Sequence, residues 1–179
     1  MASIGHVVLG TAVARAHDGT LNWRSAVAFS AFSMLPDLDV IGFRFGIPYG
    51  APFGHRGATH SIAFALAVGV LGFFITRRNW RSTFAVTLVV LSHPLLDMLT
   101  DGGLGVALFW PLTPHRYFFP WTPLPVAPIG KGMLSARGLY VVAVESLVFL
   151  PLLFLRLDPR RYSWTLRRKS ATSEKRVCR

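Results

Sequence analysis

Long apolar stretches alternate with short polar connections along most of this chain. Three stretches are long, covering residues 62–75, 83–99 and 138–155, and two shorter ones, 4–14 and 26–35, precede them. With the uncharged residues beside them, the long stretches reach the lower edge of the roughly 17–25 residues that a helix needs to cross a bilayer. The pattern predicts an all-α bundle of about four to five helices, in which the two short stretches either span only partly or pack inside the bundle.

Composition decides between a membrane bundle and a soluble one. Hydrophobic residues make up 52% of the 179 residues and charged residues only 15%. Any one apolar stretch can be the core helix of a soluble protein, but a chain of this size has too little polar surface to cover all three. The sequence therefore predicts one integral membrane domain over residues 1–158, followed by a basic, flexible tail over 159–179. The N-terminus lacks the positive charge that precedes the apolar part of a signal peptide.

The basic residues predict the orientation in the membrane. Arg77, Arg78 and Arg81 lie between two of the long stretches, and nine further basic residues follow Leu155. Short basic segments stay on the cytoplasmic side, where anionic lipids attract them. We therefore expect a cytoplasmic tail that contacts anionic lipids, with residues 40–60 and 100–137 facing outward. A basic tail can also bind nucleic acid, but the membrane already accounts for the charge, and we expect no nucleic-acid partner.

Histidines and aspartates are concentrated where this topology turns the chain outward. Imidazole and carboxylate groups are ligands for divalent metals such as zinc, and His93 and Asp97, four residues apart, share one face of a helix. We expect a polar metal pocket at the outer, non-cytoplasmic leaflet that holds one to three divalent ions, with zinc favoured; Cys178, in the tail, is a poor ligand. The expected metal ligands are His6, Asp37, His60, His93 and Asp97, with Asp101, His115 and Glu145 as possible additional ones.

The three additional candidates also have ordinary structural explanations. Asp101 can belong to a turn with Gly102, and His115 lies in an aromatic segment typical of a membrane interface. A carboxylate in the middle of a membrane helix is costly and is usually functional or paired. Glu145 therefore remains either an inner ligand or a partner for a cation such as Arg137.

Several short motifs resemble those of the YdjM-type family, described as inner-membrane, metal-dependent hydrolases. They are His6 in the first helix, Leu35-Pro36-Asp37-Leu38-Asp39, Gly54-His55-Arg56-Gly57-Ala58-Thr59-His60-Ser61, His93 with Asp97-Met98-Leu99-Thr100, and Phe109-Trp110-Pro111-Leu112. The family is grouped with the zinc-dependent phospholipase C superfamily, helical enzymes with clustered metals that cleave phosphate esters. The resemblance implies a location in the bacterial inner membrane. Val40 stands where relatives often carry a histidine, which leaves the number of metal ions open.

The residues and the resemblance together predict a membrane-bound hydrolase in which a metal-activated water attacks a phosphoester or a lipid-linked substrate. A bound metal lowers the pKa of a water to about 7 and polarises the oxygen under attack. Asp39 is the expected acceptor of the water's proton, and His55 or Arg56 is expected to stabilise developing negative charge. Asp37 and Asp39, two residues apart, point in different directions and can divide ligation and base catalysis between them.

The alternative function is a metal-ion or proton transporter that uses the same histidines and aspartates. Transport predicts ionisable groups staggered through the bilayer midplane. Here the expected topology gathers them on one side, which favours the enzyme. The sequence does not indicate an oligomeric state or a particular substrate.

Overall fold

The structure, a computed structural model, describes residues 3–154, and within them the regular elements are helices joined by irregular segments. Five α-helices form: α1 (Ser3–Asp18), α2 (Trp23–Met34), α3 (Ile62–Ile75), α4 (Trp80–Asp97) and α5 (Ala136–Phe149). Four 3-10 helices accompany them, at Leu35–Phe45, Ala58–His60, Gly130–Leu134 and Leu150–Phe154. In these described residues the β-pairing is limited to two isolated bridges, Thr100 with Leu124 and Val106 with Tyr117. The predicted all-α bundle of four to five helices is confirmed.

Between residues 3 and 154, two helical segments are long and apolar enough to cross a membrane. They are Trp23–Phe45, in which a 3-10 helix continues α2, and Ala136–Phe154, in which another continues α5. The first is longer than the apolar stretch 26–35 from which it was predicted, because Pro36 falls in the first turn of the 3-10 helix, where a proline is tolerated. Large apolar side chains such as Val27, Phe74 and Leu147 stay exposed on the helices, as contact with lipid requires.

Small residues bring α1 and α2 into close contact. A Cβ atom added at Gly10 would lie 2.6 Å from the Cα atom of Ser30, so any side chain there would push the helices apart. The Ser30 hydroxyl donates a hydrogen bond of 3.0 Å to the carbonyl oxygen of Val7. Small residues and interhelical hydroxyl bonds are typical of packing between membrane helices.

The bundle has one end rich in arginine and another rich in histidine and aspartate. At the first end, Arg81 donates to the carbonyl of His17, and Arg15 donates to the carbonyl of Leu153 at 2.8 Å. The end of α1, the start of α4 and the 3-10 helix that follows α5 therefore meet there. The start of α1 and the end of α4 lie at the opposite end. Which end faces the cytoplasm stays a prediction from the charge pattern, and the predicted tail 159–179 lies outside the described residues.

The last turn of α4 carries both of its candidate ligands. The helix runs through Pro94 and ends at Asp97, so His93 and Asp97 lie on one side of the same turn. Asp101 lies beyond the end of the helix. The segment that follows, up to residue 129, is irregular and bonds back to the polar end, for example through Phe119 N to Met98 O at 3.0 Å.

Candidate metal centre

Four side chains from three parts of the chain converge at the polar end of the bundle. Asp37 comes from the 3-10 helix after α2, His60 from the short 3-10 helix before α3, and His93 and Asp97 from α4. One ligand atom from each of the four lies within 4.8 Å of those from the others. His60, His93 and Asp97 are fully or almost fully buried. Sequence reasoning named all four as metal ligands, and the fold brings them together.

The distances within this group are short and uniform. The Nε2 atoms of His60 and His93 are 3.1 Å apart. From His60 Nε2, the nearest carboxylate oxygen of Asp37 lies at 3.6 Å and that of Asp97 at 3.4 Å. From His93 Nε2, the corresponding distances are 3.3 Å and 3.7 Å. Two imidazole nitrogens and two carboxylates at these distances from one another can hold a metal ion.

A second group, formed by Asp39, His55 and His60, overlaps the first. Nδ1 of His55 donates to Asp39 Oδ1 at 2.7 Å, and Nδ1 of His60 lies 3.2 Å from Asp39 Oδ2. The two groups share His60 but use opposite ring nitrogens. Because a neutral imidazole has one nitrogen with a free lone pair, His60 can serve as a ligand in only one group at a time.

The protein also fixes the ring of His93. Its Nδ1 lies 2.7 Å from the carbonyl oxygen of Ser33 near the end of α2. A carbonyl only accepts hydrogen bonds, so Nδ1 carries the proton and Nε2 keeps its lone pair toward the other ligands. This support of the second ring nitrogen is the usual arrangement around metal-binding histidines.

Arg56 places a guanidinium group beside the candidate ligands. Its guanidinium is buried, with Nε 3.2 Å from Asp97 Oδ2, and it donates to Thr100 Oγ1 and to the carbonyl of Gly102, both at 3.0 Å. Its backbone adopts a positive φ of 60°, a conformation that costs free energy outside glycine. Arg56 therefore neutralises part of the carboxylate charge and stands at the edge of the site.

His6 lies against the group without belonging to either set of three or more ligands. Its ring stacks on that of His93 with centroids 3.7 Å apart, and its Nε2 lies 3.8 Å from Asp97 Oδ1. Both ring nitrogens are buried and have no hydrogen-bond partner. Such an orphaned polar group is rare in a folded protein and points to a missing ligand or ion.

The loop that carries His55 and Arg56 is folded too tightly for a larger residue at Gly54. A Cβ atom there would lie 2.1 Å from the carbonyl oxygen of Pro48. Arg116 holds the same loop from outside, where its guanidinium donates to the carbonyl oxygens of Tyr49, Ala51, His55, Arg56 and Gly105. The loop is thus fixed by backbone contacts on both sides.

Burial and charge set the protonation of groups in this loop region. Burial alone would lower the pKa of His60, but hydrogen bonds to Asp37, Asp39 and Asp97 outweigh it and raise the pKa to about 10. Without a metal, His60 is therefore cationic at neutral pH, and a metal would replace its Nε2 proton. Burial raises the pKa of Tyr49, which keeps its phenol protonated and able to donate a hydrogen bond.

The three additional candidates lie outside both groups. Asp101 accepts a hydrogen bond of 2.7 Å from Val126 N and forms an exposed ion pair with Arg137. His115 is exposed and packs on Tyr117. Glu145 is buried in α5 and accepts a hydrogen bond of 3.1 Å from Gly5 N, in the first turn of α1. The partner suggested for Glu145, Arg137, pairs with Asp101 instead.

Sequence reasoning missed three residues that support the site. Thr59 donates to Asp39 Oδ2 at 2.7 Å, while the nearby Ser61 caps α3. Tyr49 and Arg116 contact the loop of His55 and Arg56. The sequence around these two residues gave no signal of this role, because the contacts depend on long-range folding.

Comparison with known proteins agrees with the motifs. The chain matches the family described as YdjM inner membrane protein over residues 1–162. It is 42% identical over 122 residues to inner membrane protein YbcI of Escherichia coli (strain K12), an alignment that covers 65% of this chain and 70% of that protein. No solved structure matches the chain significantly. The family and the relative both place such proteins in the inner membrane, and the buried cluster of histidine and aspartate can bind a metal ion. The chain therefore belongs to the YdjM inner membrane protein family.

Proposed function

We propose that this protein is a membrane-bound, metal-dependent hydrolase that cleaves a phosphoester, with zinc held by Asp37, His60, His93 and Asp97. The observation that carries the proposal is the spacing of these ligand atoms. Metal–ligand bonds of about 2.0–2.1 Å in a tetrahedral zinc site place neighbouring ligand atoms ~3.3 Å apart. The distances from the two imidazole nitrogens to each other and to the carboxylates run from 3.1 to 3.7 Å.

The hydrogen bonds around the site favour one principal ion in this group. His60 can coordinate there only through Nε2, which leaves Nδ1 to donate toward Asp39. Asp39 then acts as the carboxylate that orients a metal-binding histidine. His6, with its two unpartnered nitrogens beside Asp97, is the place for a further ligand. A bound divalent ion would supply Lewis acidity and lower the pKa of a coordinated water.

The remaining polar residues fit the roles of proton acceptor and anion partner. Asp39 already accepts hydrogen bonds from His55, from Thr59 and from the Arg56 backbone, so we assign the proton to His55 rather than directly to Asp39. With Nδ1 bound to Asp39, the Nε2 atom of His55 is the basic one, as in other histidine–carboxylate pairs. Arg56 and the Tyr49 phenol line the same cavity and suit the phosphoryl oxygens.

In the hydrolysis, the water oxygen bonds to phosphorus while the bond from phosphorus to the ester oxygen breaks. The water's proton passes to His55 and then to the departing alcohol, so no redox partner is needed.

The same residues suit a transporter less well. The two ligand groups overlap at one end of the bundle, and Glu145 accepts a hydrogen bond from the start of α1, at that same end. The histidines and carboxylates of the two groups, with Glu145, are therefore not staggered through the membrane.

The experiment is hydrolysis of bis(p-nitrophenyl) phosphate by the full chain purified in detergent. We expect chelation to abolish p-nitrophenol release and added zinc to restore it. His55→Gln should keep its zinc and lower kcat by about 10²–10⁴-fold, the range for loss of a general base. His17→Gln, at the opposite end of the bundle, is the matched control and should behave like the parent. Hydrolysis that survives chelation, or an absence of hydrolysis across phosphomonoesters and phosphodiesters, would refute the proposal.

A further inference from the structure

Arg116 binds the backbone of the loop that carries His55 and Arg56. Its Nη1 donates to the carbonyl oxygens of these two residues at 3.1 Å and 3.3 Å, and to that of Gly105 at 3.2 Å. Its Nη2 donates to the Tyr49 carbonyl at 3.2 Å and to a second carbonyl two residues later at 3.3 Å. Hydrogen bonds from a charged donor are about twice as strong as neutral ones. One side chain therefore fixes three stretches of backbone.

The backbone of Arg56 is strained and needs such support. Its φ of 60° is a conformation that persists outside glycine only when the surrounding structure holds it. The carbonyl of Arg56 accepts one bond from Arg116 and another from Ala107 N at 2.9 Å, and its amide donates to Asp39 Oδ2 at 3.2 Å. Loss of Arg116 removes the charged donor among these contacts, so the strained angle is then free to relax.

The Arg116 side chain, which acts as a clamp on this loop, is itself held in place. The next residue, Tyr117, pairs with Val106 through two backbone hydrogen bonds of 3.0 Å and 2.9 Å. The Arg116 guanidinium lies 5.9 Å from the centre of the Tyr49 ring, and that ring meets the His55 imidazole edge-on at 5.1 Å. The clamp therefore acts on His55 through its carbonyl and through the Tyr49 ring.

The two side chains on the clamped backbone both reach the candidate site. His55 Nδ1 donates to Asp39 at 2.7 Å, and Arg56 Nε lies 3.2 Å from Asp97 Oδ2. We propose that Arg116 is a positioning residue: by holding the backbone, it aims the side chains of His55 and Arg56 at the candidate site. The chemical roles of these two side chains rest on the proposed function.

Nitrogen-15 NMR of the zinc-loaded full chain, labelled at histidine and purified in detergent, tests the aim of His55 without relying on hydrolysis. The His55 Nδ1 signal is assigned by its absence in His55→Gln. We expect Arg116→Ala to shift or broaden this signal, because the bond to Asp39 is no longer held. Added guanidinium ion should restore it, whereas methylammonium, which lacks the planar set of donors, should not. An unchanged His55 signal in Arg116→Ala would overturn the proposal.

Zinc content separates positioning from a general loss of structure. Arg116→Ala should bind as much zinc as the parent, because all five bonds of Arg116 go to backbone carbonyls. Arg44→Ala, the matched control, removes an exposed arginine from the last turn of the 3-10 helix Leu35–Phe45 and should keep both the zinc and the His55 signal. Loss of zinc in Arg116→Ala that guanidinium does not reverse would contradict a positioning role.

Arg116→Lys tests the clamp by a milder change. Lysine keeps the positive charge but offers one nitrogen in place of Nη1 and Nη2, so it cannot bind both sets of carbonyls. We expect its His55 signal to differ from that of the parent. A signal like the parent's would show that charge alone is enough, and it would refute the clamp even if Arg116→Ala does not fold.

Activity measurements on the same variants separate this proposal from the proposed function. The kcat of Arg116→Ala on bis(p-nitrophenyl) phosphate should fall by about 10²-fold, the cost of misplacing a group by about 1 Å, and guanidinium should recover part of it. A kcat equal to that of the parent would contradict the positioning role. If the parent hydrolyses no phosphoester but Arg116→Ala still displaces the His55 signal, the hydrolase assignment fails while the positioning of His55 stands.

Discussion

Oδ2 of Asp39 lies 3.2 Å from Nδ1 of His60, on the side of the imidazole opposite the candidate ligands. The other nitrogen, Nε2, faces Asp37, His93 and Asp97. A carboxylate behind a metal-binding histidine fixes its tautomer and raises its basicity. Asp37 and Asp39 are two residues apart in one 3-10 helix, yet they meet opposite sides of the same ring.

The first prediction concerns the unequal roles of these two aspartates. Asp37→Asn should remove most of the bound zinc, because a carboxylate ligand is lost. Asp39→Asn should retain zinc at saturation, bind it about 10–100-fold more weakly, and lose most of kcat because His55 loses its partner. Zinc titration with a competing chelator measures both affinities. The reverse pattern would exchange the two roles.

His6 supplies a prediction that separates packing from ligation. His6→Phe keeps an aromatic ring to stack on His93 but removes the two unpartnered nitrogens. If His6 binds metal, this variant should bind zinc at least about tenfold more weakly, as other disrupted metal sites do. Isothermal titration with zinc gives the affinity. An unchanged affinity would assign His6 to packing alone.

The tight loop before α3 predicts a selective effect of glycine substitution. Gly54→Ala should lower the free energy of unfolding by about 1–3 kcal/mol or more, because the added Cβ overlaps the Pro48 carbonyl and strains the packing. Gly50→Ala, in the same loop, meets only a side-chain carbon of Leu104 at 3.5 Å and serves as the control. Thermal unfolding in detergent compares them. Equal melting temperatures would show that the loop adjusts without cost.

The orientation in the membrane gives a prediction of its own. In a Cys178→Ser background, Lys131→Cys should react with an impermeant maleimide added outside intact cells, and Arg78→Cys should react only after the membrane is opened. Both positions are exposed, and they lie at opposite ends of the bundle. The reverse labelling would place the metal centre on the cytoplasmic side.

The helices and the grouping of the main candidate ligands followed from local patterns in the sequence. Apolar stretches gave the helices, and the spacing of His93 and Asp97 placed both on one turn of α4, where the structure has them. The sequence could not show that Asp39 and Asp37 face opposite nitrogens of His60, because this depends on the angle between two segments about twenty residues apart. It also gave no sign that Arg116 secures the loop of His55 and Arg56, since those contacts run over about sixty residues.

Glu145 shows where a sequence pattern leaves two explanations open. A carboxylate in an apolar helix is expected either to bind a ligand or to pair. The structure places it against the backbone of Gly5, where free N–H groups at the start of α1 need acceptors. That contact joins the first and last helices, and only the packed bundle reveals it.

The central claim, that Asp37, His60, His93 and Asp97 hold a metal ion, is tested most directly by the metal content of the purified full chain. Elemental analysis after zinc loading and desalting should find bound zinc in the parent and in His17→Ala, a histidine at the opposite end of the bundle. His93→Ala should lose most of that zinc while remaining folded by circular dichroism. Zinc retained by His93→Ala at the level of the parent would contradict the account, whatever happened to hydrolysis.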